Sequence, residues 1–165
     1  MAATPRTTTR IEVHATAQQT FTYLADPRNR PRWQASLLTV HLLDPGPPHP
    51  GTRWSERTAV GAVPHLQIVE LRAPGTDGDP TGLWSEAGTW HGLRAALAMV
   101  LKPAEADSSR TVVHAAFEID GARPWSPLVT VLRLLAPAAV RSDLRRSARH
   151  VERAAHGARP RSERL

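Results

Sequence analysis

Polar and apolar residues alternate through residues 6–14, which are rich in β-branched side chains, so the chain opens with a strand ending near His14. Thr16-Ala17-Gln18-Gln19 then has the form of a capping box, and Phe21 and Leu24 fall on one face of a short helix. Asp26-Pro27 closes that helix and opens a second one, Arg28 to about Trp33, because Asp is a good cap and Pro fits the first turn. Ser36–Leu43 predicts another strand. The next segment, Asp44–Gly51, is too proline-rich for a strand interior. Extended segments follow at Thr52–Val60, Val63–Arg72, Leu83–Ala87, Thr89–Lys102 and Arg110–Asp120. Turn residues separate them at Gly61, Pro74-Gly75, Gly82, Gly88 and Asp107-Ser108. Leu93–Leu101 also contains good helix formers; its place between two extended segments decides for a strand.

Ser126-Pro127 is a strong helix start. Leu128, Val131, Leu132 and Leu135 recur at spacings of three and four, followed by Leu144 and Val151 with arginines between. The pattern predicts one amphipathic helix from 126 to roughly 155. Pro137 removes the amide that would bond the Arg133 carbonyl, so a kink is expected there. Gly157–Leu165 is polar and is expected to be disordered. The organisation is therefore a single domain over 1–155 and a basic tail over 156–165, with no internal repeat standing out. Strands joined by short links must be antiparallel, which makes the class α+β: a seven-stranded sheet, two short helices and a long C-terminal helix. The sheet has one apolar face and that helix is the element large enough to cover it. A strongly curved sheet around one helix leaves a space suited to an apolar molecule.

The chain has 165 residues and no cysteine, which removes disulfide scaffolds, thiolate metal sites and thiol nucleophiles. Lys102 is the only lysine beside 20 arginines, a skew that fits a GC-rich genome. Of the net charge of +6, the segment Arg141–Leu165 carries +5, with eight arginines against Asp143, Glu152 and Glu163. The body is thus nearly neutral, unlike a domain built to grip nucleic acid across a folded face. No signal peptide is visible near Met1, and the apolar stretches fall short of the ~20 residues of a membrane helix. A cytoplasmic location is the expectation. The eight histidines show no paired ligand spacing, and no Walker, nucleophile-elbow or dinucleotide motif is present, so neither metal nor cofactor is expected.

The phrase from His14 to Trp33, containing Phe21, Leu24, Asp26-Pro27 and Pro31, resembles the opening of the SRPBCC (START-like, helix-grip) superfamily. Gly51-Thr52-Arg53-Trp54, Ile68-Val69-Glu70 and the closing helix are similar to its later landmarks. Within it, the polyketide cyclase/dehydrase-like branch of bacterial proteins is nearest. The resemblance covers about residues 6–155 and implies the helix-grip fold. It leaves function open, because that superfamily hosts carriers, receptors, cyclases and oxygenase domains.

Candidate chemistry follows from alternation. Trp54, Glu56, Thr58 and Val60 share one strand face. If it looks inward, Glu56 is a desolvated carboxylate suited to proton transfer; if outward, Glu56 is a solvated surface residue, the commoner fate of a glutamate. His91, Leu93, Ala95, Leu97, Met99 and Leu101 form an otherwise apolar face, which puts His91 at the pocket edge as a general acid or base, or else as a strand-end histidine bonded to backbone or water. His114 falls on the face opposite Val113, Ala115, Phe117 and Ile119. The resemblance puts Trp33 near the cavity mouth, although sealing the sheet end as core is the commoner use of such a large aromatic. Leu93, Leu97, Phe117, Leu132 and Leu135 are expected to line the space, with Trp33 and Trp54. The leading function is binding of a small hydrophobic or aromatic molecule. The alternatives are a polyketide cyclase/dehydrase-like enzyme using His91 or Glu56, and an interaction protein using the arginine-rich helix end.

Overall fold

The computed structural model describes residues 7–121 and 126–157. Of the expected tail over 156–165, His156 and Gly157 instead continue the C-terminal helix, and residues 158–165 lie outside the described residues. Its elements run β1 (Thr7–Val13), α1 (Ala17–Leu24), α2 (Arg30–Trp33), β2 (Leu37–Leu42), β3 (Arg53–Thr58), β4 (His65–Arg72), β5 (Gly82–Trp90), β6 (Leu93–Ala104), β7 (Asp107–Gly121) and α3 (Ser126–Gly157). The strands form one curved antiparallel sheet in the order β1-β7-β6-β5-β4-β3-β2. Consecutive strands β1 and β2 thus stand at opposite edges, and the chain between them, through α1 and α2, must cross from one edge to the other.

The crossover is held by local chemistry. Thr16 and Gln19 complete the capping box of α1, with the Gln19 amide donating to Thr16 Oγ1 at 3.3 Å and the Thr16 amide donating to Gln19 Oε1 at 3.1 Å. Asp26 then caps a 3-10 turn over Pro27–Asn29 by accepting from the Arg28 amide at 3.0 Å. Asn29 Nδ2 donates to the Tyr23 carbonyl at 2.9 Å, which ties that turn to the end of α1.

Several strand limits differ from the pattern in the sequence: β3 ends at Thr58, β4 begins at His65, and Asp107-Ser108 is no turn but the start of β7, the turn lying at Glu105-Ala106. Gly88 is not a turn: β5 passes straight through it. A Cβ there would meet Leu66 Cγ at 2.9 Å, so the glycine serves a close approach between β4 and β5. The turn falls at His91-Gly92, whose φ values of 46° and 84° make the left-handed pair that a two-residue hairpin requires between Trp90 and Leu93. His91 is therefore a loop-tip residue and not the first residue of the inward face of β6. A bulge between Ile68 and Glu70 shifts the alternation of β4, leaving Ile68 buried and Val69 and Glu70 both exposed.

The long segment 93–101 is extended throughout, as β6. Val13, Phe21, Leu24, Trp33, Trp84, Met99, Leu101, Val113, Leu144 and Val151 form the main core between α1, α3 and the concave sheet face. Leu93 and Ile119, with Ala95, Trp90 and Phe117 packed on them, form a separate small cluster. α3 packs on β1, β7, α1 and α2, and Pro137 lies inside it. Among the described residues no helix is long and apolar enough to cross a membrane.

Candidate functional site

Because α2 is folded back towards the sheet, Arg30 enters the interior, only 2% exposed. It meets two carboxylates from the inward faces of β3 and β5. Its Nε lies 2.6 Å from Glu56 Oε1, and its Nη1 donates to Glu86 Oε2. Nη2 donates to Gln34 Oε1 at 2.8 Å. Glu56 Oε1 also accepts from Trp54 Nε1 at 3.0 Å. Three indole rings surround the guanidinium: its carbon lies 5.6 Å from the Trp33 centroid, 5.7 Å from Trp54 and 5.9 Å from Trp84. A desolvated guanidinium is well served by such faces, which carry negative potential without a formal charge.

The cluster is rich in acid. One guanidinium faces two carboxylates, and Glu56 and Glu86 are 3% and 5% exposed. Burial pushes Glu86 up to about 7, against the lowering pull of the Arg30 charge and hydrogen bond, with the Glu56 charge adding to the rise. Burial alone would lower Arg30, but Glu86 and Glu56 outweigh it and hold the guanidinium above its ordinary range. Burial thus favours the protonated form of Glu86 more than in an exposed glutamate.

Arg30, Glu56 and Glu86 line a cavity of about 260 Å³ whose other walls include Leu37, Thr58, Leu66, Thr89, Leu93 and Phe117. A smaller space of about 80 Å³ shares Arg30, Gln34, Leu66, Glu86, Ala95 and Phe117 with it and adds Trp33, Leu97, Val140, Asp143 and Leu144. Asp143, on α3, accepts from the Ala35 amide at 3.0 Å and so ties the helix to the chain leaving α2. Burial raises the Asp143 pKa against the pull of that bond, Arg146 and Arg30. The indole nitrogens of Trp33 and Trp84 are buried and have no hydrogen-bond partner among the described residues.

The structure unites some of the residues singled out by alternation and separates others. Glu56 faces inward and lines the cavity; the outward alternative does not hold, because Arg30 supplies the partner a buried carboxylate needs. Trp54 is 0% exposed and stands behind Glu56, and Trp33 borders the smaller space. Leu93 lines the large space, Leu97 the small one and Phe117 both. Val60 is exposed, because β3 ends at Thr58. His91 is exposed at the β5–β6 turn and does not line the cavity, and His114 is exposed on the outer face. Leu135 is 60% exposed and lines neither space, since the helix turns it away from the sheet. The side chain of Leu132 lies outside the described residues.

Arg30, Gln34, Trp84 and Glu86 were not legible from periodicity. α2 is four residues long, too short for any repeat to declare which side is buried. A different signal exists. The tripeptide Trp-Ser-Glu occurs twice, at 54–56 and 84–86, and each copy supplies one indole and one carboxylate to Arg30. A buried Trp followed two residues later by an acid, on two strands of one sheet, calls for a cation between them.

A family model described as polyketide cyclase/dehydrase and lipid transport matches residues 4–156. Among solved structures, a hypothetical protein of Helicobacter pylori is similar at a TM-score of 0.73 and 12% identity, over 89% of this chain and 88% of that one. A Thermus thermophilus protein is similar at 0.66 and 13%, over 91% and 99%. The di-domain ARO/CYC protein StfQ of the steffimycin biosynthetic pathway is similar at 0.69 and 13%, over 92% of this chain and 51% of StfQ. At these identities the likeness is one of fold. No curated protein matches the chain in sequence.

Proposed function

The chain belongs to the polyketide cyclase/dehydrase and lipid-transport family, and from that premise we propose that its cavity binds a small, largely apolar molecule whose one polar group rests against Glu86. The observation that carries this reading is the composition of the cavity wall. Leu, Ala, Phe and Ile side chains make up much of the wall of a space of about 260 Å³, and Arg30, Glu56 and Glu86 set charged groups into it beside Gln34, Ser36, Thr58 and Thr89. Ligand sites typically join a mostly apolar wall to a few fixed polar groups, and volumes of about 300–1,000 Å³ are usual, so the occupant is small. Apolar burial at ~25 cal/mol per Å² supplies most of the affinity and the acid cluster fixes orientation.

The experiment is quenching of tryptophan fluorescence by 2-naphthol, a neutral aromatic with one hydroxyl. Saturable quenching is expected for the native protein. Ala95→Phe, which fills the wall shared by both spaces, is expected to abolish it while the thermal transition persists. Quenching that is linear in naphthol, or unaffected by Ala95→Phe, would reject the reading.

A second reading is favoured by one observation, the buried Glu86 carboxylate in the cavity wall, whose burial pushes its pKa up to about 7. A buried carboxylate poised near neutrality is matched to general acid–base work. In a cyclase/dehydrase, such a group takes a proton from a carbon activated by neighbouring carbonyls, and returns one to the departing hydroxyl. Confinement of a folded chain adds the proximity effect. Loss of turnover of a poly-β-keto substrate in Glu86→Gln, with naphthol quenching retained, supports catalysis; equal turnover in that variant excludes Glu86 from it.

A further inference from the structure

Where α2 meets α3, away from the cavity, three arginines crowd one spot. Tyr23 and His150 stack there with centroids 6.3 Å apart and planes within 15°. Arg153 Nη2 lies 3.3 Å from His150 Nδ1, and Arg153 Nε donates to the Arg149 carbonyl at 3.0 Å. The His150 ring also bonds the backbone of Arg32. Arg32, Arg149 and Arg153 are all exposed. We propose that Arg32, Arg149 and Arg153, grouped around the stacked Tyr23–His150 pair, form a binding site for a phosphate-type oxyanion.

Three observations carry it. First, the positive charge is uncompensated: among the described residues none of the three guanidiniums has a carboxylate partner. The acids along the same elements are engaged elsewhere, Asp26 with Arg28, Asp143 with the Ala35 amide and Glu152 with the His14 amide at 2.9 Å. Second, the Tyr23 hydroxyl is buried with no hydrogen-bond partner among the described residues and lies within electrostatic reach of Arg32 and Arg153, so an unsatisfied donor sits beside the guanidiniums. Third, the chemistry matches. Planar guanidinium forks each offer parallel N–H groups, and several of them suit the charge and multiple oxygens of phosphate better than a single carboxylate. Burial and then the charges of Arg153, Arg32 and Arg149 hold His150 below its ordinary pKa. Tyr23 from α1, Arg32 from α2, and Arg149 and Arg153 from α3 are the titratable and charged groups facing it, so a bound dianion raises that pKa.

The sequence supplies its own reporter, because Tyr23 is the only tyrosine. The full chain, labelled with ¹³C in tyrosine, is titrated with inorganic phosphate at constant ionic strength while the Tyr23 ring is followed by NMR. A saturable shift is expected, roughly tenfold or more weaker in Arg149→Gln/Arg153→Gln, the loss that removing charge-assisted hydrogen bonds brings. It is expected to be retained in Arg141→Gln/Arg145→Gln, which removes equal charge from the same helix. No saturable shift, or equal weakening in both double variants, overturns the proposal. Phosphatidylcholine vesicles with and without phosphatidic acid distinguish the sources. Binding only to the acidic vesicles, lost in Arg149→Gln/Arg153→Gln, supports a lipid headgroup; a phosphate shift without vesicle binding supports a small phosphorylated molecule.

Discussion

Arg30 and Glu86 stand 56 positions apart in sequence and are joined by a buried hydrogen bond and ion pair that links α2 to the central strand β5. That contact, together with Glu56, decides how the interior of this protein is built. The indoles of Trp33, Trp54 and Trp84 pack around a charge that would otherwise be too costly to bury, and the carboxylates that neutralise it line a largely apolar cavity.

Arg30→Met keeps volume and removes charge, leaving Glu56 and Glu86 buried without a counter-ion. A loss of about 3–5 kcal/mol is expected from urea unfolding, the usual cost of breaking a buried pair on one side. Adding Glu56→Gln and Glu86→Gln to the same chain should recover much of it. A loss within about 0.5 kcal/mol, typical of surface positions, would show that the cluster is not desolvated.

Glu86 makes stability depend on pH. Its folded-state pKa of about 7 lies above the ordinary 4.5, so between these values the folded protein binds more protons than the unfolded chain. Stability contributed by this group therefore falls as pH rises from about 4.5 to about 7 and is level above that. Comparing urea midpoints at about pH 5 and about pH 8, Glu86→Gln should show a flatter dependence than the native chain. An unchanged slope would contradict the assignment.

Gly88→Ala tests the wall of the cavity. The added methyl meets Leu66 at 2.9 Å and the His65 carbonyl oxygen at 3.3 Å, so Leu66 must shift. A cost of about 1–3 kcal/mol is expected, as for other overpacked sites, with weaker naphthol quenching because Leu66 and Gly88 both border the space. Thermal melting and the quenching titration report the two effects separately.

His91 is predicted to matter for the turn and not for the ligand. With φ at 46°, it tolerates His91→Asn within about 0.5 kcal/mol, whereas His91→Val should cost about 1–2 kcal/mol in a left-handed position. Quenching by naphthol should be the same in both variants. An affinity change in the asparagine variant would restore His91 to the site.

The architecture was open to reading because periodicity speaks for long elements. Alternation marks Val113, Ala115 and Ile119 as one buried face of β7, and the three- and four-residue spacing of α3 announces a helix. The site was less open for a reason that is equally physical. Alternation says which residues share a face, and hydrophobicity then orients the face; Glu56 and Glu86 sit on the apolar side against that rule, and the residue that permits it, Arg30, comes from a helix of one turn. His91 was misplaced because Gly88, a glycine of close approach, resembles a glycine of turning, and moving the turn to His91-Gly92 takes the histidine off the strand.

The most direct test of a ligand whose polar group rests on Glu86 is the number of protons exchanged on binding. Calorimetric titration of 2-naphthol near neutral pH, in two buffers of different ionisation enthalpy, measures it. The account predicts a non-zero exchange in the native protein that disappears in Glu86→Gln while binding heat remains. Binding with no proton exchange in the native protein, or an exchange that persists in Glu86→Gln, would contradict it.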